Sequence, residues 1–321
     1  MHAPTIVTIG KATQDVFLKS AKAFEQFEHK GVRYEQLPVG QKLHLDDVIF
    51  ATGGNVTNAA VTFARQGLHS IYSWCLGTDV SSEGVLQALD AEGVNTAHVH
   101  QDERFRASYS VILMLTGGER TILNYRGVMP TAKDSELDLS VIEKGDWLYL
   151  SSLSDIELLE RIVSRAAEHG VKVMLNPASI ELEHPEKLRG ILEDVEVLIV
   201  NKEEAQQIVH GETLEELARH ARHYCPVVIV SDGPNGAVAT DGKTVVTAGM
   251  YEDVPVVDRT GGGDAFGSGF LSAYAQGESL KDALVFASAN STSVVQYIGA
   301  KEGILHTGVE LHDMPITEKE Y

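Results

Sequence analysis

Residues Thr260–Ala275 read TGGGDAFGSGFLSAYA, three glycines and an aspartate ahead of a segment whose apolar residues predict a helix. A glycine inside a helix costs about 1 kcal/mol relative to alanine, so Gly267 and Gly269 need a packing reason and Gly261, Gly262 and Gly263 a geometric one. The first N–H groups of a glycine-rich helix have no partner within it. With the helix dipole behind them they suit a phosphate or a developing oxyanion. Asp264 would repel such an anion unless it faces the other reactant, where its carboxylate could take a proton from an attacking hydroxyl. The competing reading of Asp264 is a helix N-cap, favourable in its own right.

The rest of the chain limits what this anion site can serve. With 321 residues, 43% of them hydrophobic, there is material for one large α/β domain or two. Basic residues number 26 against 46 acidic, a formal charge of −20. That balance works against nucleic-acid and anionic-membrane partners, which rely on Lys and Arg to offset phosphate charge. A phosphate site must then be built locally, from backbone N–H groups and a divalent cation. Cys75 and Cys225 fit neither a disulfide framework nor a metal knuckle and read as packing residues. The start MHAPTIVTIG lacks a basic region followed by a long apolar run, and no apolar stretch has the length of a membrane span, so a soluble cytoplasmic protein is expected.

Short apolar runs alternate with amphipathic stretches: TIVTI, then Asn55 to Gln66; SIYSWCL, then Ser81 to Glu92; WLYLS, then Ile156 to His169; and VKVML, VEVLIV and PVVIV beyond. This is βαβ punctuation, with strands apolar on both faces as in a helix-covered parallel sheet. Gly67, Gly93 and Gly170 stand where helices should stop. Two segments break the rhythm: Lys30 to Phe50, with possible strands VRYEQL and KLHLDDVIF, and a hairpin SYSVILML–TILNYR around TGGE. Both read as antiparallel β insertions that meet as one small sheet, a lid drawn from about residues 12–50 and 104–128, or else extend the main sheet. In TILNYR, Arg126 shares a face with Asn124 and Ile122, opposite Tyr125; either face could meet a substrate.

Two familiar phosphate motifs fail. After Gly261 and Gly263 the G-x-G-x-x-G spacing meets Phe266, and the segment lies late in the chain. Gly242-Lys243-Thr244 ends like a Walker A loop, but Gly236 is one residue too far upstream and Asp241-Gly242 reads as a hairpin turn.

VVDRTGGGDAFGSGF, Val256 to Phe270, resembles instead a signature of the ribokinase-like (PfkB) sugar and nucleoside kinases, D-T-x-G-A-G-D-x-F. ATGGNVTNAAVTFARQG, Ala51 to Gly67, is similar to the family's first glycine-rich signature. Arg259 stands where Thr is common and Gly262 where Ala is common. The resemblance implies a single domain over 1–321, a three-layer α/β/α sandwich with a mostly parallel central sheet and a small β lid. It also implies ATP and Mg²⁺ as cosubstrate and cofactor, and a small sugar or nucleoside as acceptor. It makes Asp264 the general base and Gly261, Gly262 and Gly263 the anion hole.

On the acceptor side, Asp15, Gly53, Gly54 and Asn58 are candidate substrate residues, carboxylate and amide for hydroxyls and glycines for close backbone approach. A turn aspartate and a solvated helix asparagine are the alternatives. In VLIVNKEEA, Asn201 and Glu204 look like the family's N-x-x-E motif, which would hold Mg²⁺ through waters, Asn201 also serving ATP; a capping-box helix start reads the same way. Ser231, Gly233 and Gly236 of SDGPNGAV resemble the glycine turn against the nucleotide phosphates. Asn290 or Ser288 falls near the adenine. LNPA, Asn176 to Ala178, is a shorter echo of ribokinases. Related enzymes hold a monovalent cation, K⁺, behind the anion hole. By alignment its ligands would be the carboxylate of Asp258 and carbonyls of Thr260, Val294, Tyr297 and Gly299. A homodimer through the lid is expected. Phosphorylation of a sugar leads as the activity; a nucleoside kinase of the same fold and a silent sugar or nucleotide sensor are the alternatives.

Overall fold

The computed structural model describes residues 3–20, 22–115 and 120–321. Its centre is a nine-stranded sheet. From one edge the strands are Ile316–Glu320, Thr244–Ala248, Ala237–Thr240, Val227–Ser231, Val197–Asn201, Lys172–Asn176, Trp147–Ser151, Thr5–Ile9 and His69–Ser73. Val227–Ser231 through His69–Ser73 pair in parallel, and the first three strands are antiparallel additions. In Lys172–Asn176, Val197–Asn201 and Val227–Ser231 every mid-strand residue is apolar, and Trp147–Ser151 is buried throughout. Helices cover them on either side. Asn55–Arg65, Gly262–Ala275 and Leu280–Val294 pack against one another, while Ile156–Glu168, Pro185–Leu192, Lys202–Ile208 and Leu214–Ala221 form a second set. Asp241-Gly242 is the hairpin turn between the strands Ala237–Thr240 and Thr244–Ala248, with Gly242 at φ 78°.

Helix ends fall where the sequence marks them. Asn55–Arg65 stops with Gly67 at φ 76°, its N–H on the Ala64 carbonyl and that of Leu68 on Phe63. This is a Schellman closure, which needs the left-handed residue that glycine supplies.

The two β insertions meet in a separate four-stranded sheet of order Arg120–Tyr125, Ser108–Met114, Thr13–Lys19, Asp47–Gly53. Its strand pairing differs from the all-antiparallel expectation in one place: Thr13–Lys19 runs parallel to Ser108–Met114. The chain between these two strands passes through the main sheet, the kind of long crossover a parallel pair requires. VRYEQL does not join this sheet; Val32–Gln36 pairs with Glu25–His29 in an exposed two-stranded hairpin. Of KLHLDDVIF, only the part from Asp47 is strand. The expected turn TGGE, residues 116–119, lies outside the described residues.

Candidate active site

The glycine-rich helix starts beside the C-terminal ends of the central strands, where open α/β sheets bind ligands. Gly261 is its N-cap at φ 79°, and a Cβ there would lie 2.7 Å from Ala300 Cα. Gly262 N–H leans on the Arg259 carbonyl at 3.3 Å, so Gly263 and Asp264 supply the first-turn donors that the helix itself leaves without partners. A Cβ on Gly263 would meet nothing within 4 Å among the described residues. The two later glycines answer to packing. A Cβ on Gly269 would stand 3.1 Å from Ala287 Cα of the neighbouring helix, and one on Gly267 would stand 3.3 Å from Ile199 and from the Tyr149 hydroxyl.

One side of this helix start is polar and closed in by the small sheet. Asp264 Oδ2 accepts a 2.7 Å hydrogen bond from Asn58 Nδ2. Burial pushes the Asp264 carboxyl above the ordinary aspartate range, against the opposing pull of the Asn58 bond and the charges of Lys301 and Lys11. Asn58 is 3% exposed, and its Oδ1 is buried with no partner among the described residues. Asp15, also buried, has a carboxyl raised by burial, an effect opposed by a Ser110 hydrogen bond and by Lys301. Gly53 must lack a side chain because a Cβ would collide with Asp15 Oδ2, and one on Gly54, at φ 103°, would stand 2.6 Å from the Lys11 carbonyl. The register Asp15–Ser110–Asn124 puts these three on one face, with Asn124 Nδ2 donating to Ser110 Oγ at 3.2 Å. Asn124 and Ile122 thus share the Asp15 face; Arg126 lies past the strand end.

Lys301 lies between the two aspartates in charge terms, since both raise its pKa while burial lowers it to about 7. Its Nζ donates to Thr52 O at 2.7 Å, Thr57 Oγ1 at 3.1 Å and Thr52 Oγ1 at 3.2 Å, tying down the turn that carries Gly53 and Gly54. Lys11, lowered first by burial and then by Arg126, feels Asp264 as well. The sequence reading missed both lysines. Lys11 follows the first strand in IGKA and Lys301 follows the last long helix in IGAKEG, signals of position only.

The other side opens into a cleft of about 570 Å³ whose wall includes Gly262, Gly263, Asn201, Ser231, Gly233 and Gly236. Two helix-start glycines and four expected ATP residues therefore share one cavity. Arg259 lines it too, with its side chain exposed. Asn290 does not: it is fully buried, donating to the Ala265 carbonyl and accepting from Leu305 N–H, so its amide binds two helices together. Ser288 lines the cleft in its stead. Glu204 and Asn201 make a reciprocal capping box, Glu204 N–H to Asn201 Oδ1 and Asn201 N–H to Glu204 Oε2, each at 2.9 Å. Burial raises the Glu204 carboxyl despite these bonds. No cluster of three His, Cys, Asp or Glu suited to a metal occurs among the described residues. Of this pair Asn201 lines the cleft and Glu204 does not.

The helix start thus carries N–H groups on the cleft side and a half-buried carboxylate on the other. The family model for pfkB family carbohydrate kinases matches residues 6–307. The chain belongs to the PfkB family. As such it is an ATP-dependent phosphotransferase acting on an alcohol group. The ribokinase of Haemophilus influenzae is 26% identical over 282 residues, 83% of this chain and 88% of that protein. The 2-dehydro-3-deoxygluconokinase of the same organism is 28% identical over 77% of this chain and 87% of its own length. The structure of Arabidopsis thaliana ribokinase complexed with ribose and ATP matches with a TM-score of 0.77 at 21% identity, over 94% of this chain and 96% of that one. Adenosine kinase from Sinorhizobium meliloti matches with 0.74 at 18%, over 93% and 95%. At these identities the structural likeness establishes the ribokinase fold.

One expectation for this PfkB kinase does not fit. Asp258, the one carboxylate in the expected K⁺ set, is 2% exposed and already engaged. Its Oδ1 accepts from Thr260 Oγ1 at 2.7 Å and Thr260 N–H at 3.0 Å, and pairs with Arg120 Nη1 at 3.0 Å; its Oδ2 accepts from Gly299 N–H at 3.1 Å. The Val294 carbonyl accepts from Tyr297 N–H at 3.1 Å. A cation would have to displace a guanidinium. Sequence reading singled out Arg126 in this hairpin and missed Arg120, although alternation puts both with Ile122 and Asn124; only the pairing register shows that this face is the one carrying Asp15.

Proposed function

We propose that this PfkB kinase transfers the γ-phosphoryl group of ATP to a hydroxyl of a small, ribose-like sugar. The observation that carries the proposal is the position of Asp264, at the helix start that also lines the cleft through Gly263, yet bonded to Asn58 on the other side. ATP in the cleft would set its γ-phosphate against the Gly263 and Asp264 N–H groups, with Gly261 and Gly262 shaping the turn. Asp264 takes the proton of the acceptor hydroxyl; the freed oxygen bonds to phosphorus as the bond to the β-phosphate breaks, and ADP leaves with that electron pair. Mg²⁺, when bound, neutralises phosphate charge. Arg259, exposed in the cleft wall, adds a local positive charge in a strongly acidic chain. The small sheet acts as a lid that excludes water from the transferring group.

A sugar is favoured by the polar acceptor side. Asp15, Asn58, Ser110 and Asn124 all present hydroxyl-binding groups, and the unpartnered Asn58 Oδ1 asks for a donor that a substrate hydroxyl would supply. We further infer a homodimer through the lid, whose outward face exposes Val48, Leu123 and Tyr125 and leaves Phe50 72% exposed, and a cytoplasmic setting where ATP is at hand. No described helix is long and apolar enough to cross a membrane. The test is ADP release from ATP and Mg²⁺ over D-ribose, D-fructose, 2-keto-3-deoxygluconate and the common nucleosides. Turnover with a sugar at least tenfold above the acceptor-free rate is expected. Release with nucleosides alone would move the reading to a nucleoside kinase, and release with no acceptor preference would overturn it.

A further inference from the structure

We propose that the Arg120 guanidinium serves in this chain as a built-in cation behind the anion hole, in place of a monovalent metal ion, and makes that position part of the lid. Asp258 is buried at the turn that leads through Thr260 into Gly261. Buried carboxylates require a positive partner or a full set of donors, and Asp258 has both: the charge comes from Arg120, the donors from Thr260 and Gly299. Gly299, at φ 84°, rests in turn against the lid, where a Cβ would meet Ala51 at 3.4 Å and Phe17 at 3.8 Å. Arg120 belongs to the lid strand Arg120–Tyr125 and shares its inward face with Asn124, which donates to Ser110 beside Asp15.

A single ion pair therefore joins the sheet over the acceptor side to the loop that shapes the anion hole. A mobile K⁺ would neutralise Asp258 equally well but could not make that connection. Two consequences follow for Arg120 as a positioning residue. The chain has no use for K⁺ while the arginine is in place, and removing it opens a carboxylate-and-carbonyl site that an ion of the right size can enter.

The test compares the full-length protein with Arg120→Ala and Arg120→Lys in 100 mM KCl and in 100 mM choline chloride, read first by thermal midpoint and then by ADP release with ATP and D-ribose. The thermal arm needs no turnover, so it stands apart from the substrate assignment. The unsubstituted protein should melt at the same temperature in both salts. Arg120→Ala should melt lower in choline and recover by on the order of 2–4 °C in KCl, as expected for an ion that binds only the native state. Arg120→Lys, which keeps the charge, should show no K⁺ effect. In the kinetic arm, Arg120→Ala should lose roughly ten- to hundredfold in kcat through misplacement of the anion-hole loop, part of it restored by K⁺ and none by choline. A K⁺-dependent rise in midpoint for the unsubstituted protein would overturn the proposal. So would an Arg120→Ala variant that behaves alike in both salts, because a merely structural ion pair gives no cation selectivity.

Discussion

The Asp264 carboxylate is held where its charge is least comfortable, and that has a measurable cost. Its pKa is raised in the fold, chiefly by burial, so the native state binds a proton more readily than the unfolded chain. Its contribution to stability is present at low pH and is lost as pH rises through the folded pKa. At pH 7 the charged form opposes folding, and Asp264→Asn should raise the melting temperature by roughly 2–4 °C, a gain that shrinks toward pH 4 when followed by differential scanning calorimetry. Lys301 titrates in the opposite sense. Its pKa is lowered to about 7, so between pH 7 and its ordinary range the unfolded chain holds a proton that the native state does not. Stability from this group therefore rises with pH across that window, and urea midpoints of Lys301→Met should lack the rise. The same substitution removes positive charge near Asp264 and should shift the acidic limb of the kcat/KM profile upward by roughly one pH unit. An unmoved limb would reduce Lys301 to a tether for Thr52 and Thr57.

At the scale of the element, the glycines of one helix divide by what surrounds them. Gly269→Ala drives a methyl to 3.1 Å from Ala287 Cα, between two helices that cannot easily part, and should cost about 1–3 kcal/mol in denaturant unfolding. Gly263→Ala meets open space and gains helix propensity, so stability should hold or rise by up to about 1 kcal/mol. The methyl then stands in the cleft where the phosphoryl group must approach, and the KM for ATP should rise, or kcat fall, by at least roughly tenfold. Stability lost at one glycine and activity lost at another would separate packing from chemistry. Much of this was legible in the sequence: the glycine excess announced a close approach, and Gly67, Gly93 and Gly170 marked helix ends. The strand Thr13–Lys19 was not, since its parallel partner lies about ninety residues away and no local pattern encodes such a pairing. Asn290 misled for a related reason. It lies two residues from Ser288 in one helix, and only the packing of Gly262–Ala275 against Leu280–Val294 shows its amide buried between them.

For the whole molecule, the sheet and its helices set one helix start between the cleft and the small sheet that carries Asp15. In a chain of net −20, Lys11, Lys301 and Arg120 set positive charge against Asp264, Asp15 and Asp258. Their meeting depends on strands and turns far apart in sequence, which is why motif spacing could not show it. The exposed row Val48, Phe50, Leu123 and Tyr125 belongs to the same scale. If the proposed dimer forms through this row, Phe50→Lys should convert it to a monomer by light scattering while leaving the melting temperature within about 2 °C. Most direct of all is the comparison of Asp264→Asn with the unsubstituted protein in phosphoryl transfer from ATP to the best acceptor of the screen, alongside calorimetric binding of ATP. Turnover lower by roughly 10²–10⁴-fold, with ATP affinity within about threefold, is the expected result; turnover within tenfold of the unsubstituted protein would contradict Asp264 as the base.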